Sequence, residues 1–335
     1  NNPSSSFVNS PNGKSPTLPG NSVLESNEKS SVFVPYWATN NDINDSFDRY
    51  YYFGILANKN GIDTKEIGYV HIKTFLRNVP TEREKYLVIR MIDSSENSLI
   101  LRDDSAQRKI IQESVVIAKE NGFDGLVLDF EITALGFDSV MKEINNFVGL
   151  FAATSKESNL PFLITMYGDT FYRLRPFDIA TLGKETDGMM IMAYDFHKAG
   201  ANPGPNFPLQ GRLVYGYDLK TMVDDFNRVV PKEKLTVIFG MFGYDWTIDN
   251  TTKGVGTASS LGLADIQKKF LTDCLLKNCT VNRDNVSTET SVTYTGSDGS
   301  SHIVWFEDKA SMEEKKKYLK SVGIRSFSLW AYSYF

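Results

Sequence analysis

Two rhythms of apolar residues alternate along this chain. Short apolar runs rich in β-branched and aromatic residues read as buried strands at Val32 to Trp37, Tyr51 to Leu56, Tyr86 to Met91, Gly125 to Glu131, Phe162 to Tyr167, Gly188 to Asp195, Leu235 to Phe242 and Ser326 to Trp330. Between them apolar residues fall three or four apart, as in Ile111, Val115 and Ala118 or Val140, Ile144, Phe147 and Phe151, the spacing of one helix face. Asp104 or Ser105 offers a cap for the first of these helices, and Asn121-Gly122 a stop. Strand and helix in tight succession predict parallel β/α units. Eight strands suit an α/β fold of the closed (β/α)8 TIM barrel type better than an open sheet.

From Trp246 to Trp305 the chain is too long for an ordinary connection. Leu263, Ile266, Phe270 and Cys274 mark a helix there, and VTYTGSDGSSHIVWF reads as a hairpin around GSDG. Residues 247–304 are therefore expected to form a small α+β insertion between the seventh strand and the last helix.

Chemistry concentrates in the octet DGLVLDFE, Asp124 to Glu131. Strand side chains alternate faces, so Asp129 and Glu131, two apart, point the same way from one strand end. In a barrel that end is where catalytic groups sit. Paired carboxylates suit acid chemistry on a polysaccharide, where one group protonates the leaving oxygen and the other manages positive charge at the sugar carbon. Two solvated acids at a strand end are the alternative reading of the octet alone.

The octet also resembles the DGxDxDxE signature of glycoside hydrolase family 18, which includes chitinases and bacterial spore-germination glycosidases. MAYDF, Met192 to Phe196, is similar to the family's sixth-strand MxYD motif, and FGYDW, Phe242 to Trp246, to the aromatic end of its seventh strand. VWFEDKAS, Val304 to Ser311, with SLWAY, Ser328 to Tyr332, resembles its closing segment. Order and spacing hold from about Val32 to Phe335. Two departures stand out: Val127 replaces the signature's middle aspartate, and no SxGG pattern follows Tyr86.

The resemblance implies a retaining, substrate-assisted glycosidase acting on β-linked polysaccharide that contains N-acetylglucosamine, with chitin, peptidoglycan and N-glycan cores all open. Glu131 would be the general acid, and Asp129 would hold the N–H of the substrate's 2-acetamido group while its carbonyl oxygen attacks the anomeric carbon. Tyr194 would hydrogen-bond that group, Asp195 would help hold the distorted sugar, and Trp330 would floor it. Met192 belongs to the sixth-strand motif, and Tyr36, Trp37, Tyr167, Tyr244 and Trp246 are candidate subsite residues. The insertion would line one wall of the groove. A carbohydrate-binding protein without catalysis, and an unrelated barrel hydrolase using Asp169, Asp187 or Asp245, remain open as other classes.

Composition narrows this further. The 335 residues, 41% hydrophobic, can bury one barrel-sized core, and the formal charge of −5 gives no basic footprint for nucleic acid. His71, His197 and His302 lack ligand-type spacing and no GxGxxG follows a strand, so neither metal nor nucleotide cofactor is expected. Residues 1–31, rich in Ser, Asn and Pro, are expected to form a disordered tether. A start at Asn rather than Met favours a secreted or surface-tethered protein, here expected to be monomeric, and no apolar run is long enough to span a membrane. Cys274 and Cys279 leave a disulfide and two free thiols equally open.

Overall fold

A computed structural model of the chain describes residues 28–40, 42–134 and 136–335. The expected tether lies outside the described residues as far as 27. Its last three positions, Lys29 to Ser31, already belong to the first strand.

Eight parallel strands close into a barrel: Lys29–Pro35, Arg49–Asn58, Glu84–Met91, Gly125–Phe130, Phe162–Tyr167, Gly188–Ala193, Leu235–Gly240 and Ser326–Trp330. Each pairs with the next, and the eighth pairs back onto the first. Alternation splits the apolar side chains into two layers. Phe33, Tyr51, Val88, Val127, Leu163 and Met190 fill the barrel interior. Leu87, Ile89, Leu126 and Leu128, one residue out of step, pack against the helices outside. The parity that sends Val127 inward also sends Asp129 inward.

Most connections carry helices, the longest being Asp104–Asn121 and Asp138–Glu157. The first does not: among its described residues a single 3₁₀ turn, Tyr36–Ala38, lies between the first two strands. The first strand thus ends before Tyr36 and Trp37, because Pro35 has no amide donor to continue the ladder. Asp103, one residue before the expected caps, accepts from the amides of Ser105 and Ala106, and Gly122 closes that helix at φ 70°. Among the described residues no helix is long and apolar enough to cross a membrane.

The insertion is larger than 247–304. Five antiparallel strands, in the order Ser259–Gly262, Phe242–Ile248, Ser301–Phe306, Thr290–Thr295 and Lys277–Arg283, form a second sheet on the barrel's C-terminal side. Phe242, expected to end the seventh barrel strand, instead begins this sheet, because the chain leaves the barrel after Gly240. The expected hairpin pairs Thr290–Thr295 with Ser301–Phe306. The expected helix is short: Leu263–Ile266 passes into a π-helical turn, Gln267–Leu271, so Cys274 falls beyond it and forms a disulfide with Cys279 at a Cα separation of 6.3 Å.

Candidate active site

A cavity of about 390 Å³ opens at the C-terminal mouth of the barrel. The fourth strand delivers Asp129 and Glu131 to it, and Glu131 keeps strand-like anchorage just past the strand's last residue. Its amide donates to the Met91 carbonyl at 2.8 Å, and Asn97 Nδ2 donates to the carbonyls of both Met91 and Glu131, at 2.6 and 2.7 Å. One buried amide thus ties the ends of the third and fourth strands together.

From the fifth strand, Thr165 and Tyr167 meet these carboxylates one to one. Thr165 Oγ1 donates to Asp129 Oδ1 at 2.5 Å, and the Tyr167 hydroxyl donates to Glu131 Oε2 at 2.8 Å. Arg175 stacks its guanidinium 3.8 Å from the Tyr167 ring centre while its Nε donates to Asp169 at 2.8 Å, which fixes the ring's orientation.

Asp195, just past the sixth strand, has φ 59°, a left-handed conformation that aspartate tolerates better than most residues. The geometry is held from outside the site. The Asp195 amide donates to Asn206 Oδ1 at 2.8 Å, and Asn206 Nδ2 donates to the carbonyls of Gly240 and Phe242, each at 3.2 Å. The amides of Asn206 and Phe207 donate in turn to the Glu289 carboxylate, which is fully buried and paired with Lys315 at 2.7 Å. Lys315 also pairs with buried Glu307. Asp195 itself accepts from the Tyr244 hydroxyl at 2.7 Å. The floor is aromatic: Trp330 packs edge-on to Phe53 with ring centres 4.6 Å apart and lies near Phe33 and Tyr194.

Burial dominates the electrostatics. Asp129, 4% exposed, is pushed from an ordinary 3.8 up to about 7, first by desolvation and then by repulsion from Glu131, with the Thr165 hydrogen bond and the Arg90 charge opposing. Glu131 is also raised, chiefly by desolvation, against the Tyr167 hydrogen bond. Desolvation likewise raises Asp195 and lifts Tyr194 well above the usual phenol range. Two carboxyls this close, both made reluctant to ionise, share a proton near neutral pH. The arrangement can therefore offer one acid and one carboxylate to the same bound molecule.

Of the residues singled out from sequence, Asp129, Glu131, Tyr167, Met192, Tyr194, Asp195, Tyr244 and Trp330 all border this cavity. Three expected subsite residues do not. Trp246 is 1% exposed, in the core of the second sheet, with its Nε1 donating to the Ala201 carbonyl at 2.9 Å. Tyr36 lies under the Arg90 guanidinium, and Trp37, 47% exposed, stands outside the cavity on the turn after the first strand. His197 turns away to bond the Pro205 carbonyl. The other candidate acids are otherwise engaged. Asp169 borders the cavity but is bound by Arg173 and Arg175, Asp187 caps the Phe162 amide at the opposite barrel end, and Asp245 accepts from Tyr294 and pairs with His302. Thr165, Arg175, Lys198 and Ser260 border the cavity without having been foreseen. Thr165 carried a usable signal, since it lies two residues before Tyr167 on a predicted strand and so shares its face.

A family model described as glycosyl hydrolases family 18 matches residues 82–334. The cortical fragment-lytic enzyme of Bacillus subtilis (strain 168) is 23% identical over 270 residues, covering 77% of this chain and 59% of that protein. The spore cortex-lytic enzyme SleL of Bacillus cereus superposes with a TM-score of 0.73 at 20% identity, covering 92% of this chain and 71% of that one. A class V chitinase of Nicotiana tobaccum superposes with a TM-score of 0.78 at 16% identity, covering 92% and 95%. At these identities the superpositions speak for the fold. The chain spans between half and two thirds of the length of the Bacillus relatives it matches first.

Proposed function

The chain belongs to glycosyl hydrolase family 18, and from that membership we propose that it hydrolyses β-linked polysaccharide containing N-acetylglucosamine, with retention and with the substrate's own acetamido group as nucleophile. The observation that carries this reading is the Asp129–Glu131 pair, set inward by one strand, each carboxyl met by its own hydroxyl donor, over an aromatic floor. Glu131 acts as general acid and then base. Asp129 acts as the carboxylate that orients the acetamido N–H, and Tyr194 and Asp195 hold the same sugar. Trp330 supplies the apolar face on which the ring rests.

Between the candidate polymers we favour peptidoglycan fragments over chitin. The bacterial relatives named for cortex lysis support this, as does Lys198 at the cavity wall, since a cation there suits a glycan bearing carboxylates better than a neutral one. An extracytoplasmic setting is part of the proposal, and the Cys274–Cys279 disulfide supports it.

Release of reducing ends from N-acetylglucosamine oligomers and from peptidoglycan fragments, run beside Glu131→Gln, tests the reading. The wild type cleaves at least one substrate and yields β-configured first products by proton NMR. Glu131→Gln loses about 10²- to 10⁴-fold in kcat yet still binds. Inverted products, or a variant with near-normal turnover, would overturn it.

A further inference from the structure

Arg90 is the one basic side chain of the third barrel strand's inner face, and it has few partners. It is 7% exposed, and neither its Nε nor its Nη1 has a hydrogen-bond acceptor among the described residues. Its one ion pair among the described residues, to Glu66, is loose at 3.7 Å. Tyr36 and Phe53 sandwich the guanidinium with ring centres 5.2 and 5.1 Å from Cζ. Arginine keeps its charge in any protein environment, so a full positive charge sits inside the barrel mouth largely unbalanced.

Strand register sets Arg90 directly beside Asp129 on the neighbouring strand. Both point inward, because Tyr86 and Val88 on one strand and Val127 on the other, at the same parity, line the interior. Asp129 is faced by Arg90 from the third strand, by Glu131 on its own strand, by Thr165 and Tyr167 from the fifth, and by Tyr194 from the sixth, while Asp195 acts on Glu131. Among these, only Arg90 carries positive charge. Arg90 is in turn faced by Glu66, Tyr36, Tyr52 and Asp129.

We propose that Arg90 is a positioning residue for the reaction, the buried cation set beside Asp129 by strand register that favours its carboxylate form over the protonated one. The two needs are met together: Asp129 supplies the anion that a poorly paired buried guanidinium requires, and Arg90 supplies the cation that a buried carboxylate requires. The other neighbours of Asp129 contribute an anion or a neutral hydroxyl, and the cations Arg175 and Lys198 act on Glu131 instead, so without Arg90 it is Asp129 that favours its protonated form. The inference rests on Asp129 and Glu131 being the working pair.

Arg90→Met, Arg90→Lys and Glu66→Gln test it. The acid limb of kcat/KM reports the group that must be ionised, and in Arg90→Met it moves upward by about one pH unit, while Arg90→Lys leaves it near the wild-type position. Glu66→Gln leaves Asp129 as the chief anion for Arg90 and moves the limb downward, so the test survives if Arg90→Met does not fold. Carboxyl ¹³C titration, with Asp129→Asn identifying the resonance, reads the same shift without turnover. A folded Arg90→Met or Glu66→Gln protein whose Asp129 carboxyl titrates as in the wild type would overturn the proposal. Near-normal turnover by Glu131→Gln would instead overturn the working pair, and the carboxyl titration would still report on Arg90.

Discussion

Burying Asp129 should cost the folded protein stability, and the structure says how much and at which pH. The unfolded chain releases this proton near 3.8, whereas the folded site holds it to about 7. Over that window the folded state binds more protons than the unfolded one, so stability falls as pH rises. The displacement is about 3 pH units, and at about 1.4 kcal/mol per unit it amounts to about 4 kcal/mol lost between pH 4 and pH 8. Asparagine at 129 has the same shape and can still accept from Thr165, yet it has nothing to ionise. Asp129→Asn should therefore match the wild type near pH 4, apart from a constant offset, and gain on it progressively to about 2–4 kcal/mol at pH 8, the lower figure allowing for relaxation of Glu131 once its neighbour is neutral. Urea unfolding at intervals of one pH unit, read by tryptophan fluorescence and circular dichroism, measures the difference. A gap between the two proteins that stays flat from pH 4 to pH 8 would show that Asp129 is not held protonated by burial, and the shared proton assigned to the pair would go with it.

Three further outcomes follow from named contacts. Tyr167→Phe removes the hydroxyl that donates to Glu131, which raises that acid further, so the alkaline limb of kcat/KM should move upward by about one unit. A limb that stays in place would mean that Tyr167 does not stabilise the Glu131 carboxylate. Lys315→Met strands Glu289 and Glu307 as buried anions and should cost about 3–5 kcal/mol of unfolding free energy at pH 8. Glu307, already raised to about 7 by burial, takes up a proton in acid, so that loss should shrink toward pH 5. Val127→Asp places a third carboxyl on the inner face beneath Asp129 and should move the alkaline limb upward, since like charges hold protons on one another. An unmoved limb in a folded variant would mean that position 127 is not coupled to the pair. Paired pH profiles on one soluble oligosaccharide serve both active-site variants.

Much of this site was legible in the chain because strand periodicity is a local property. Gly125 to Glu131 reads as a strand from its own residues, and parity alone puts Asp129 and Glu131 on one face, as it puts Thr165 and Tyr167 on another. The eight-strand rhythm and the barrel followed for the same reason, since each unit announces itself by its own spacing. Tertiary structure decided the rest, because parity says which way a side chain points and not what stands opposite. Trp246 obeyed its strand's alternation yet faced the core of a second sheet, whose existence begins with the chain leaving the barrel after Gly240. Asp195 owes its left-handed backbone to Asn206, and Asn206 owes its position to Glu289, 83 positions further on, and through it to Lys315, residues that no periodicity connects to it. The proton affinities are likewise collective. Nothing local to Asp129 announces its proton affinity, and only burial beside Glu131, with Arg90 and Thr165 set against it, makes it hold its proton to about 7.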